Sequence, residues 1–372
     1  MRLRIERDAL TRGLAMVGSS VPIRPPVPAL GGVLLEAAAD GLFLSGFDYE
    51  VSSRATLESV STGDTGSVLV SGRLLAEIAK VLPGGPVDLI RDGARLRIAS
   101  GQTRFALPLM PVEDYPALPA LPAPTGIADR AEFADAVARV AVAAGRDDTL
   151  PMLTGINVEF HPGFLRLVST DRFRIVIREL PWTPTEPAAE TAATLVPARS
   201  LAAAAKAIPG DHIEIACDPG QSILGVRSGG SHHTMRLLDT PYAPYQRYLT
   251  ETCTATATIS TPALIEAIKR VSLMAPRGAQ IRMTFFPSTV LLDAGDDTAG
   301  AAEETIPCDF DGDPLAIAFN PRYLLDGLNT LHAPLVEIAT NGPIRAAALR
   351  DPAAGEYELR QRYILMPVRP PA

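Results

Sequence analysis

Apolar positions along the chain follow two alternating periods, one helical and one of strands. Val70 to Pro83, Val196 to Pro209 and Phe319 to Leu331 each read as a helix. In each, an apolar pair sits seven residues apart: Leu75 and Leu82, Leu201 and Ile208, Leu324 and Leu331. Seven residues make about two helical turns, so each pair lies on one buried face. A second helical pattern recurs at Ile5 to Leu14, Ala131 to Val137 and Ser260 to Ile268. Pro262 suits a first helical turn, and Ser260 or Thr261 suits its cap. Strict alternation follows the helices. Leu42 to Asp48 and Leu165 to Asp171 match at an offset of 123 and read as half-buried strands. Asp40-Gly41, Asp92-Gly93, Pro162-Gly163 and Pro219-Gly220 supply the turns between strands.

The copies also close alike, with Leu109-Met-Pro111 and Tyr115, Leu238 with Pro241 and Tyr245, and Leu365-Met-Pro367. One unit is therefore expected three times, each as two helices plus about eight short strands in an α+β layer pair. The length of 372 residues accommodates three domains of roughly 100–200 residues. Pro-rich Pro116 to Pro124 and Thr-rich Thr250 to Thr258 mark the expected boundaries, giving domains 1–122, 123–250 and 251–372. The Pro/Glu/Thr stretch Pro181 to Ala189 reads as a surface loop inside the second unit.

Composition removes several function classes. No run of about 18 apolar residues occurs, so no transmembrane helix is expected. The charged N-terminus, Met1-Arg2-Leu3-Arg4, does not read as a signal peptide. Cys217, Cys253 and Cys308 are widely spaced and suggest a reducing, cytoplasmic compartment. None of Lys80, Lys206 or Lys269 precedes Ser or Thr, which excludes a phosphate-binding loop of the usual kind. Zinc-protease, nucleophile-elbow and dinucleotide motifs are absent from the sequence. His232-His233 reads as a pair of surface histidines, and Asp147-Asp148 and Asp296-Asp297 read as solvated loop tips rather than metal sites.

The net charge is −8, but binding to nucleic acid depends on the local sign of the contacting face. Arg73 lies two residues from Leu75, roughly 200° round the helix, and Lys80 follows Arg73 by two turns. Both therefore point away from the core. Arg199 and Lys206 repeat this placement, and Arg322 and Asn329 repeat it with one cation. Two of the three lysines thus hold equivalent positions. Aromatic residues make up only 5%, which disfavours base stacking. A basic helix face suits non-specific, salt-sensitive phosphate contacts.

Several segments together resemble the bacterial DNA polymerase III β subunit, the sliding-clamp family. They are Ser45-Gly-Phe-Asp48-Tyr-Glu50-Val51, Pro111-Val-Glu-Asp-Tyr-Pro116, Leu153-Thr-Gly155, Thr170-Asp171-Arg172-Phe173-Arg174, Ala318-Phe-Asn320, Tyr323-Leu-Leu-Asp326 and Tyr363-Ile-Leu-Met366-Pro367-Val-Arg369. The resemblance covers essentially the whole chain. It implies a head-to-tail homodimer whose six domains form a ring around duplex DNA, with the repeated helices lining the hole. It implies a tether for a polymerase rather than an enzyme, with no cofactor or metal. Arg24, in the loop Ile23-Arg24-Pro25-Pro26, matches a DNA-contacting arginine of the family and joins Arg73, Lys80, Arg199, Lys206 and Arg322.

The resemblance further implies a cleft between the second and third domains. It receives a short peptide motif from the DNA polymerase III α subunit, the clamp loader, other polymerases and repair proteins. The positions matching it are Leu153, Thr170, Asp171, Arg172, Phe173, Arg174, Ile175, Ala243, Arg247, Tyr248, Asn320, Ala346, Ile364, Met366, Pro367, Val368 and Arg369. By the same resemblance, the strand around Phe105 and Leu107 meets the helix end near Leu273 of a second copy. The chain departs from the family pattern at three places. It reads Ala243-Pro244-Tyr245 where Pro-x-Tyr is usual, carries the bulky Tyr248 where a small apolar residue is usual, and ends Pro370-Pro371-Ala372. These departures cluster at the cleft. They are compatible with neutral drift, or with a specialised second clamp copy that excludes a competing peptide inhibitor. A nucleic-acid-processing enzyme with an unrecognised site is the alternative from another class.

Overall fold

The computed structural model describes residues 1–58, 61–186, 192–250, 253–275, 280–296, 300–353 and 361–368. The chain divides into two compact units, Met1–Val137 with Pro181–Asp239, and Ala138–Leu180 with Thr240–Ala372.

All three copies of the expected helix pair form. The helices span Arg7–Val17 and Gly72–Val81, then Arg130–Ala141 and Ala198–Ala207, then Thr261–Val271 and Pro321–Leu331. Their starts differ from the sequence reading. Val70 ends the strand Gly66–Ser71, Val196 lies in Ala192–Pro197, and Phe319 closes Leu315–Phe319, so each helix begins two residues later than expected. A strand runs straight into a helix at each place, and a side-chain cap makes the switch at two of them, while Pro197 precedes Ala198–Ala207 without a capping bond. The Ser71 hydroxyl accepts the Leu74 N–H, and the Asn320 side chain accepts from Arg322 and Tyr323, with Pro321 in the first turn. Ser260 stands at the cap of the Thr261 helix but makes no side-chain capping bond. The six apolar residues spaced seven apart are all buried.

Each copy has nine described strands rather than about eight. The addition is a short edge strand, Ser61–Asp64, Thr183–Pro184 or Asp309–Asp311, pairing with the strand that precedes the copy's first helix. Such short segments carry no periodic signal.

In the first unit, a five-stranded sheet runs from Ser61–Asp64 through Arg2–Glu6, Pro86–Asp92 and Arg95–Ser100 to Thr103–Pro108. A nine-stranded sheet runs from Thr183–Pro184 through Ser231–Arg236, Val51–Leu57 and Gly41–Phe47 to Gly66–Ser71. Helix Arg7–Val17 brings Leu10, Leu14 and Val17 against Leu42, Leu44, Leu75 and Ile78 to form the core. His233 is fully buried in this unit, correcting its expectation as a surface residue. Strand alternation turns one of the two adjacent histidines inward, where Ser53 Oγ lies 2.6 Å from Nδ1 and Ser20 bonds Ser53 in turn.

In the second unit, strands Gly155–His161, Phe164–Thr170, Arg174–Pro181, Gln361–Leu365, Ala347–Arg350, Leu335–Thr340 and Ala255–Ser260 are neighbours in that order. A four-stranded sheet runs Gly300–Pro307, Thr289–Asp296, Ile281–Phe286, Leu315–Phe319. Among the described residues no helix is long and apolar enough to cross a membrane.

Candidate nucleic-acid face and peptide cleft

Arg24, Arg73, Lys80, Arg199, Lys206 and Arg322 are all solvent-exposed. Leu75, Ile78 and Ala79 bury the opposite side of helix Gly72–Val81, and Leu201, Ala204 and Ala205 bury that of Ala198–Ala207. Lys80 and Lys206 each lie in a last turn, where a cation complements the helix dipole. Arg73 is partly neutralised by Glu77 one turn on, at 2.9 Å. This pair is exposed at both ends, so solvent screens it and an incoming phosphate can displace it. Arg24 sits in the proline-rich loop beside this helix. The loop's Val21, Pro22, Pro25 and Pro28 share a cavity of about 610 Å³ with Gly72, Arg73 and Ala76.

The cleft positions lie in the second unit and gather around one turn, Thr170–Arg174. Asp171 Oδ1 accepts the N–H groups of Phe173 and Arg174, and Thr170 Oγ1 donates to the Arg174 carbonyl at 2.7 Å. These bonds hold Arg172 at a φ of 78°, a left-handed conformation that costs a residue with a side chain about 1–3 kcal/mol. The Arg172 and Phe173 side chains are pushed into solvent. Arg174 turns inward, 6% exposed. It bonds Asp171 at 2.9 Å, Asp326 at 2.6 Å and the Tyr363 hydroxyl at 3.2 Å, and stacks on Tyr323 at 4.5 Å. Burial opposes its charge, but Tyr363, Asp326 and Asp171 outweigh burial and raise its pKa. Gly327 permits this arrangement, because a Cβ there would lie 2.7 Å from the Tyr363 ring.

The remaining positions join this turn through the last described strand. Arg174 pairs with Leu365 and Ile175 with Ile364, and the Met366 N–H donates to the Phe173 carbonyl at 2.8 Å. The Val368 N–H donates to the Ala318 carbonyl, which brings Pro367 and Val368 beside the Asn320 cap. Tyr248, Ala346 and Ile364 line one small cavity of about 30 Å³. Leu153 is buried, and Asp147 in the preceding loop has its carboxyl held below the usual range by the Thr149 hydroxyl and N–H. Asp147 and Asp148 are exposed, as expected of a loop tip. Asp297 and Arg369 lie outside the described residues.

Tyr248, the bulky departure, does not stand alone. The Arg247 guanidinium lies 4.6 Å over its ring and donates to its hydroxyl at 2.5 Å, so the two side chains form one wall. A network absent from the sequence reading fixes the segment carrying this wall. The Tyr245 hydroxyl donates to Glu159 at 2.6 Å, and Glu159 also meets Asn157, His161 and Arg166. Arg362 donates to the carbonyls of Tyr248 and Leu249. Strand alternation at Asn157, Glu159 and His161 signals a shared face, but Tyr245 reaches it from an irregular segment far along the chain that packs against Val168 and Ile177.

At the other predicted contact, Leu273 is 80% exposed, whereas Leu107 lies within the core of its own unit and Phe105 packs against that core. Thr103–Pro108 is the edge strand of its five-stranded sheet.

Models of the N-terminal, central and C-terminal domains of the DNA polymerase III beta subunit match residues 1–119, 128–244 and 246–369. The chain is 40% identical to the beta sliding clamp of Streptomyces coelicolor, with 99% of both chains covered. It is 38% identical, again over 99% of both, to the beta sliding clamp homolog GriR of Streptomyces muensis. The crystal structure of a Pseudomonas aeruginosa sliding clamp bound to griselimycin superposes with a TM-score of 0.91 at 24% identity, covering 100% of both chains. The chain belongs to the DNA polymerase III beta subunit family, the beta sliding clamps, which are processivity factors and not enzymes.

Proposed function

We propose that two copies of the chain close head to tail into a ring around duplex DNA, each contributing domains 1–122, 123–250 and 251–372. The exposed cations Arg24, Arg73, Lys80, Arg199, Lys206 and Arg322 contact phosphates without reading bases. The single observation carrying this reading is the recurrence of an exposed Arg and Lys, two turns apart, on two equivalent helices whose other faces are buried. The Thr170–Arg174 turn, the Arg247–Tyr248 wall and Ile364 to Val368 capture a linear peptide. The donors of that peptide are the polymerase III α subunit, the clamp loader, and other polymerases and repair proteins of the cytoplasm. A loaded ring should persist on closed circular DNA and slide off once the DNA is cut. Equal retention on both forms refutes the ring.

A second reading rests on the stacked Arg247–Tyr248 wall and the displaced Pro244. This chain is a specialised copy whose cleft accepts flexible host motifs and excludes a rigid cyclic peptide inhibitor. Replacing Tyr248 by Val and restoring Pro at 243 should then improve cyclic-peptide binding more than linear-motif binding in calorimetry. Equal gains remove this reading and leave the first intact.

A further inference from the structure

The turn that builds the candidate cleft occurs twice among the described residues. In the first unit Asp48 takes the place of Asp171, its Oδ1 accepting the N–H groups of Glu50 and Val51 at 2.9 and 2.6 Å. Tyr49 takes the place of Arg172, with a φ of 77° against 78°. The closing bond repeats as well: the Arg236 N–H donates to the Glu50 carbonyl at 2.9 Å, as Met366 does to Phe173. The register agrees, since Val51 pairs with Met235 as Arg174 pairs with Leu365. A tyrosine hydroxyl anchors the following segment in both, Tyr115 on the Ser45 carbonyl and Tyr245 on Glu159. A cavity of about 340 Å³ opens beside the first turn, a size in the range of small-ligand pockets.

We propose that this cavity is a second linear-peptide site, distinct from the candidate cleft in residues and in preference. The inference rests on the reading of the Thr170–Arg174 surface as a peptide cleft. Phe47, Met235, Ile223 and Pro116 give it an apolar floor and wall, with Tyr49 edge-on to Phe47 at 5.5 Å. Its rim differs from that of the candidate cleft at one equivalent position. Arg236 stands where Met366 stands there, 63% exposed, and its partner Glu50 is 3.8 Å away. A long, exposed pair of this kind holds its cation weakly. The occupant that fits is an extended peptide placing a leucine or phenylalanine on the floor and a neighbouring carboxylate on Arg236.

Protein carrying ¹³C-methyl methionine reports both sites in one spectrum, through Met235 at the proposed second site and Met366 at the candidate cleft. The probes are acetyl-Asp-Leu-Phe-amide and acetyl-Gln-Leu-Phe-amide. The aspartyl probe should shift Met235 saturably with a dissociation constant of about 1 mM. Arg236→Ala should weaken that response roughly three- to fivefold, as loss of one exposed charge contact does, and leave Met366 unchanged. Tyr49→Ala, at an exposed position, should weaken it as well. A Met235 signal that stays fixed up to about 10 mM probe overturns the inference, whether or not Met366 responds. A Met235 shift indifferent to both substitutions overturns it too. A Met235 response that obeys both substitutions while Met366 stays silent supports the second site and removes the cleft reading instead.

Discussion

Leu273→Ala separates the stability of the chain from the stability of the ring. Leu273 is 80% exposed in the single chain, at the end of the helix Thr261–Val271. Truncating it removes almost nothing that the chain buries by itself, so unfolding should change by less than about 0.5 kcal/mol. If the proposed head-to-tail dimer covers Leu273, it does so once at each of its two interfaces. Burying an exposed Leu contributes roughly 1.5–3 kcal/mol, so truncation should cost about 2 kcal/mol per interface and about 4 kcal/mol per ring. At 1.4 kcal/mol per tenfold, the dimer dissociation constant should rise on the order of a thousandfold. Sedimentation velocity across a concentration series reads that shift, and urea unfolding of the dissociated variant provides the control. A dimer that dissociates at an unchanged concentration places the contact elsewhere. A wild-type chain that stays monomeric throughout refutes the ring.

Replacing Arg73, Lys80, Arg199 and Lys206 together should weaken DNA binding equally across sequences, since these side chains are exposed and reach no base code. The log–log salt slope should fall by up to about 0.9 for each phosphate that is no longer neutralised, and an unchanged slope contradicts the assignment. Arg172→Gly should raise the urea midpoint, because a φ of 78° costs a residue with a Cβ about 1 kcal/mol or more, while weakening peptide capture at the rim. A loss of stability would show that the turn stores no strain. His233 predicts the shape of the acid limb, because burial holds its pKa down to about 4 against an ordinary value of 6.5. Between those two values the unfolded chain binds a proton that the native chain refuses, so stability is present above pH 6.5 and falls as the pH drops toward 4. The loss is about 3 kcal/mol at 1.36 kcal/mol per unit. His233→Gln should flatten this limb in pH-dependent denaturation, and an identical limb refutes the attribution.

The helical faces were legible because seven-residue apolar spacing survives any context: Leu75 with Leu82, Leu201 with Ile208 and Leu324 with Leu331 are all buried. The helix starts were less so, because apolar strands such as Gly66–Ser71 and Leu315–Phe319 run directly into them. Ser71, and Asn320 followed by Pro321, were the available signals, and both mark the observed starts. At His233 the identity of the residue outweighed its period. Two adjacent histidines suggest solvent, yet strand alternation must bury one of them. The inward role of Arg174 was not legible at all. Its partners Asp326 and Tyr363 arrive from far along the chain, once strand Gln361–Leu365 pairs with Arg174–Pro181.

Under the proposed function, weak contacts, repeated, hold the DNA. Each exposed cation gains little from one phosphate, and that gain falls with salt. Six such cations in one chain still suffice if a closed ring prevents escape, because retention then depends on topology and not on affinity. The same reasoning fixes the demands on the cleft. A partner already confined beside the DNA meets the peptide surface at high effective concentration, so a modest contact there is enough. What the cleft must supply is a defined shape. The turn at Thr170–Arg174 supplies it by holding strain at Arg172 and surrounding the buried Arg174 with two carboxylates and two tyrosines. Under the proposed function, a rigid wall with weak affinity would let one partner replace another while the ring stays on closed DNA.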